Sequence, residues 1–141
     1  MEESKHFGYS GGFLYDTDSR RVLLQLRDDK APVNPNKWGL FGGGREENET
    51  PKECFIREME EELALALKEE EVIPLWDYFN PKRNTQRYIF YVNKFIPKVQ
   101  MTLNEGADFD WISLDELSKY DLTDFARKDL ITFKDMITIQ S

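Results

Sequence analysis

The sequence has almost no cysteine or histidine: one of each in 141 residues. A lone cysteine excludes an internal disulfide. A lone histidine, His6, reads as surface and leaves no Ser-His-Asp or zinc constellation to be assembled with it. Positive charge is also scarce, with 19 Lys and Arg against 27 Asp and Glu, a formal charge of −8 and a pI near 4.8. A general nucleic-acid binder needs a basic face to neutralise phosphates, so this balance argues against one. Small phosphorylated substrates stay open, because a bound cation can supply positive charge locally. No membrane-length apolar run and no signal-peptide pattern is visible, so a soluble cytoplasmic protein without a membrane partner is expected. No linker, repeat or low-complexity tract divides the chain, and residues 1–141 are expected to form a single domain.

What the chain does have is acid in a particular arrangement. Thr50, Pro51 and Glu53 read as the start of a helix, with Thr50 as N-cap, proline at the first helical position and Glu53 closing a capping box. On that helix Glu58, Glu61 and Glu62 share an arc about 100° wide, while Glu60 falls on the far side. Phe55, Ile56, Met59, Leu63 and Ala66 form the adjoining apolar stripe. Three carboxylates at i, i+3 and i+4 repel one another, and a partly buried site holding them calls for a cation. Oxygen-only ligation points to Mg²⁺ or Mn²⁺ rather than zinc. Arg57 borders the same face and can orient one of these carboxylates through a two-pronged hydrogen bond. Cys54, within the acidic arc, reads as a small residue placed where nothing larger fits. The bland alternative for the acids is a solvated helix face. Against it stand the glycine run Gly42-Gly43-Gly44, the cap, the arginine and the apolar positions, all at set distances from the acids.

Gly43, Glu49, Arg57, Glu58, Met59, Glu61, Glu62 and Leu65 together resemble the Nudix box, G-x5-E-x7-R-E-U-x-E-E-x-G-U with U bulky and apolar. One position departs, Ala64 in place of the late glycine. The resemblance implies a loop-helix-loop in which Glu58, Glu61 and Glu62, with the carbonyl of Gly43, bind metal, and in which Glu49 and Arg57 support that geometry. With alanine at the late glycine, the helix is expected to run on through Leu65-Ala66-Leu67. The segment Asn104-Glu105-Gly106 before Trp111 is similar to the family's later Glu-Gly segment. It makes Glu105 a further metal ligand or the acceptor of the proton from the attacking water, with Asp108 and Asp110 as competitors. Trp111, Ile112 and Leu114 read as core.

Elsewhere, Phe7 to Tyr15 and Arg21 to Arg27 read as a hairpin around the turn-rich Asp16-Thr17-Asp18-Ser19. Asp28 to Asn36 reads as a loop, and Trp38 to Phe41 as a short strand entering a glycine turn. Val72 to Phe79 and Gln86 to Phe95 read as strands, and Ala126 to Ile139 as a closing amphipathic helix with Leu130, Phe133 and Ile137 at helical spacing. The expected fold is α/β (α+β), a central mixed sheet between helices, which is the family's α/β/α sandwich.

The resemblance implies a pyrophosphohydrolase that uses metal-activated water to cleave a phosphoanhydride in a nucleoside diphosphate linked to another group. Arg27, Lys30, Arg45, Arg83 and Arg87 are candidate phosphate contacts, and Trp76, Tyr78, Phe79 and Tyr88 candidate base-stacking rings, with surface charge and sheet packing as their alternative roles. In family members that cleave oxidised purine triphosphates an asparagine near the start of the last helix reads the base; here Thr123-Asp124-Phe125-Ala126 has none. Two other readings are a non-catalytic nucleotide or sugar-phosphate sensor on the same fold and an acidic protein-interaction module. A homodimer is a candidate assembly by the same resemblance.

Overall fold

The computed structural model describes residues 8–28, 30–31, 35–104 and 106–140. Strands β1 (Tyr9–Asp16) and β2 (Arg21–Leu26) form the expected hairpin. Its turn is held by Ser19 Oγ and the Asp18 amide, both donating to the Asp16 carboxylate. The two strands stay paired only at Tyr15↔Val22 and Asp16↔Arg21, then splay. The edge that β1 opens is taken by β4 (Phe41–Gly44), and the matching edge of β2 by the two-residue β3 (Trp38–Gly39).

On the other side of β1 lies β6 (Thr85–Asn93), parallel to it and followed outward by antiparallel β5 (Ile73–Asn80). Strand β7 (Asp108–Ser113) pairs with β2. The result is an open mixed sheet.

Alternation along β1 and β2 sends side chains to two cores. Phe13, Tyr15, Val22 and Leu24 pack under helix α2 (Asp124–Gln140) with Ala126, Leu130 and Phe133. Leu14 and Leu23 pack under helix α1 (Pro51–Leu63) with Phe55, Met59 and Leu63. A strand buried on both faces places successive residues in opposite layers, and this makes the sandwich α/β/α. Among the described residues no helix is long and apolar enough to cross a membrane.

Two local expectations are corrected. The strand expected at Trp38 to Phe41 breaks at Leu40, whose carbonyl accepts from Gln25 Nε2 (3.0 Å) as the chain passes from β2 to β1. The glycine run is then strand, not turn. Gly42, at φ 153°, lies so close to Ser10 and Gly11 of β1 that a Cβ there would collide with their backbone.

The helix exit is the second correction. The capping box forms as read, with Glu53 N–H donating to Thr50 Oγ1 (3.1 Å) and Thr50 N–H to Glu53 Oε1 (2.9 Å). The helix nevertheless stops at Leu63, and Ala64 takes the left-handed conformation (φ 54°, ψ 37°) with its N–H on the Glu60 carbonyl. Continued helix would put Leu65 at about −20° from Glu58, among the carboxylates. The turn sends Leu65 and Leu67 to the α1 core and leaves Ala66 exposed, off the stripe that it was expected to extend. A left-handed alanine costs roughly 1–2 kcal/mol, and glycine's extra freedom in the unfolded chain returns part of that. Ala64→Gly is therefore expected to stabilise by about 0.5–1 kcal/mol, read as a calorimetric Tm higher by about 2–3 °C; an unchanged or lower Tm would contradict the strain.

Candidate active site

Arg57 organises the region between β4 and α1. Its Nε and Nη2 grip Glu49 (2.6 and 3.1 Å), while Nη2 also donates to the Gly44 carbonyl (3.2 Å). Nη1 reaches Glu58 (3.1 Å) and Glu61 (3.3 Å). The two-pronged bond thus goes to Glu49 rather than to one of the helix acids, and the latter share the remaining amino group. Glu49 also accepts from the Glu46 amide, and its carbonyl accepts from Arg45 Nη1 (2.8 Å). The Arg57 hydrogen bond holds the Glu49 carboxyl below the usual range, and the same pairing raises Arg57.

Glu58 and Glu62 lie largely buried beside each other, and Glu61 is half exposed. Burial pushes the Glu58 carboxyl up. Two carboxylates held side by side away from water repel each other, and a cation between them would relieve that repulsion. Gly43 leaves room for it, since a Cβ there would fall 2.5 Å from Glu58 Oε2. Cys54 Sγ lies 3.7 Å from the Gly43 carbonyl, fully buried, and burial pushes its thiol up to about 11. It fills space and is not poised to react. With Arg57 between Glu58 and Glu61, the described acids do not close into a three-donor metal cluster. The hard oxygen donors nevertheless suit a divalent cation of the Mg²⁺ type.

Beside the end of α1, the Asn104 amide donates to the Glu62 carbonyl (2.8 Å) and Asn104 Nδ2 to that of Glu61 (3.0 Å). Glu105 itself lies outside the described residues. Its competitors are on β7 rather than on the loop: Asp108 pairs with Lys98 (3.0 Å), and Asp110 is exposed.

On the α2 side of the sheet is a cavity of about 340 Å³. Its walls include Tyr9, Leu40, Phe125 and Ala126, its polar lining Arg27, Asn80, Arg83 and Arg87, and it reaches Gly44 of β4. Arg87 is buried between Tyr9 (4.4 Å to the ring centre) and Phe125 (4.7 Å). It donates through Nη2 to Asp129 (2.8 Å) and through Nε to the Tyr78 hydroxyl (3.0 Å). Asp129, fully buried, also accepts from Trp76 Nε1 (3.0 Å) and Tyr78 Oη (2.9 Å). Two of the expected stacking rings, Trp76 and Tyr78, are thus tied to an acid; Phe79 is exposed, and Tyr88 lies beneath Arg45. Lys30 is exposed and does not line the cavity.

The sequence reading missed Tyr9, Asn80, Phe125 and above all Asp129. A signal was available: Ala126, Asp129, Leu130 and Phe133 are one buried helical stripe, and Arg87 shares an alternating face with Ile89. An acid and a base, each at a core position, announce a buried pair.

Asp129→Ala would leave Arg87 buried without its counter-charge and is expected to lower unfolding free energy by about 3–5 kcal/mol in urea melts; a loss under about 1 kcal/mol would contradict that pairing. Glu49→Gln tests the other anchor. A carboxylate with a depressed folded pKa contributes stability that is complete above its unfolded value, about 4.3, and is lost as pH falls through the folded one. The stability gap between wild type and Glu49→Gln, about 1–3 kcal/mol at pH 7, is expected to hold to about pH 5 and close below about pH 4. Melts with a pH-independent gap would refute the assignment.

Comparison with known proteins places this geometry. A family model described as NUDIX domain matches residues 7–132. Nucleoside triphosphatase NudI of Escherichia fergusonii is 30% identical over 128 residues, covering 83% of this chain and 89% of that protein; its Escherichia coli counterpart aligns to the same extent. Among solved structures, a MutT NUDIX hydrolase from Burkholderia pseudomallei is 25% identical at TM-score 0.68, covering 92% of this chain and 98% of that one. The Escherichia coli dihydroneopterin triphosphate pyrophosphohydrolase shares the fold at 20% identity and TM-score 0.71, covering 94% and 97%. The chain belongs to the Nudix family and is a pyrophosphohydrolase of the Nudix type.

Proposed function

We propose that the protein hydrolyses a nucleoside triphosphate or a related nucleotide with a linked diphosphate, using Mg²⁺, with Mn²⁺ as an alternative. The observation that carries this reading is that Gly44 of β4 both lines the cavity and accepts from Arg57 of the carboxylate helix, so the two regions meet at that strand. The relatives named nucleoside triphosphatase support the same substrate class.

In this reading Glu58, Glu61 and Glu62, with the Gly43 carbonyl, hold the cation. The ion, when bound, neutralises the diphosphate and acidifies the attacking water. Arg57 braces Glu58 and Glu61 while Glu49 fixes the guanidinium, and so keeps ligands that repel one another in place. Glu105 accepts the proton of the attacking water, and its sequence neighbour Asn104 bonds the end of α1. The cavity takes the nucleoside, its volume lying in the range of about 300–1,000 Å³ usual for small-molecule sites. Arg27 and Arg83 at the cavity and Arg45 on the loop before α1 are the proposed phosphate contacts.

Pyrophosphate and phosphate release is to be measured from a panel of nucleoside triphosphates, nucleotide sugars and dinucleotides with Mg²⁺ present or chelated. Metal-dependent turnover is expected, falling by about 100-fold or more in Glu61→Gln with the melting curve retained. Equal turnover by that variant, or turnover indifferent to chelation, would overturn the mechanism.

A further inference from the structure

Among the described residues that line the cavity, Arg87 is a polar group both firmly held and incompletely used. Arg87 is held from every side: Tyr9 and Phe125 cover the faces of its guanidinium, Nη2 is on Asp129 and Nε is on the Tyr78 hydroxyl. Asp129 is itself held by Trp76 and Tyr78, which both donate to it. Nη1 hydrogen-bonds to none of the described residues, yet it is not among the buried polar atoms left without a partner, and Arg87 lines the cavity. Its N–H groups are therefore presented to whatever the cavity holds.

The Asp129 carboxylate lies 2.8 Å from the guanidinium, so the pair is close to neutral and attracts a phosphate weakly. What remains is a directed donor in a low-dielectric wall, next to the rings of Tyr9 and Phe125. Such a donor suits a neutral acceptor, the carbonyl oxygen of a flat heterocycle, and opposes an exocyclic amino group, which would set donor against donor.

We propose that Arg87, positioned by Asp129 and Tyr78, selects the nucleobase through Nη1, favouring bases that present a carbonyl oxygen over those that carry an amino group at the same position. This rests on the cavity being the nucleoside site of the hydrolase described above. A site built to hydrogen-bond one group discriminates strongly against an analogue that cannot accept the bond. Arg87 is then a specificity residue for the substrate and Tyr78 a positioning residue that acts through it.

The test compares substrate pairs that differ at one group, UTP with CTP and ITP with ATP, as ratios of kcat/KM on the same preparation, so that the folded fraction cancels. A preference of about tenfold or more for the carbonyl member of at least one pair is expected. Arg87→Lys keeps a charge opposite Asp129 but loses the fixed N–H, and its ratio is expected to fall to within about twofold. Tyr78→Phe keeps the ring and removes only the hydroxyl, and a reduced ratio is expected there too; if Arg87→Lys does not fold, this variant decides. No preference in the wild type, or a preference unchanged in the variants that fold, overturns the proposal. Binding of UMP against CMP and of IMP against AMP, followed by NMR titration, needs no turnover. A carbonyl preference in binding without hydrolysis of any triphosphate would overturn the hydrolase reading and leave this one standing. Hydrolysis without a preference would do the reverse.

Discussion

The guanidinium of Arg57 is the constraint on which the carboxylate half of the molecule depends. It binds Glu49 from the loop, the Gly44 carbonyl from β4, and Glu58 and Glu61 from its own helix. One planar cation thereby sets the distance between strand, loop and helix, and offsets the repulsion of acids that share a helix face. Lysine, a single point charge, has too few fixed donors to do this. The buried thiol of Cys54 fits beneath the same group, 3.7 Å from Nη2, where a larger side chain would push the helix off the sheet.

The splayed hairpin provides the second half. Because β1 and β2 part after two residue pairs, β4 inserts against β1 and β3 against β2, and the strand nearest the carboxylates can be made of glycine. Strand β4 then stands between two differently built regions. On the α1 side are hard oxygen donors; on the α2 side is a cavity with aromatic walls and arginines.

The parts legible in the sequence were those set by contacts within a few residues. Thr50, Pro51 and Glu53 define the start of α1 through bonds spanning three positions, and helical spacing alone brings Glu58, Glu61 and Glu62 to one face. The box spacing from Gly43 to Leu65 named the family through its pattern. Its one irregular position was misjudged because propensity favours continued helix at alanine, whereas the packing of Leu65 and Leu67 favours a turn. Arg87 was singled out as a phosphate contact on its charge. Its partner Asp129, forty-two residues away on another element, was not visible from that distance along the chain.

By itself the sequence determined the family, the carboxylate helix with its cap and the order of strands and helices, because each of these is written in local spacing or alternation. Tertiary structure decided where the helix ends, which acid Arg57 grips with two nitrogens, that the glycines form a strand, and that Arg87 meets Asp129 at the cavity wall. Those outcomes depend on side chains far apart in the chain competing for the same buried volume and the same hydrogen bonds, and only the folded arrangement resolves that competition.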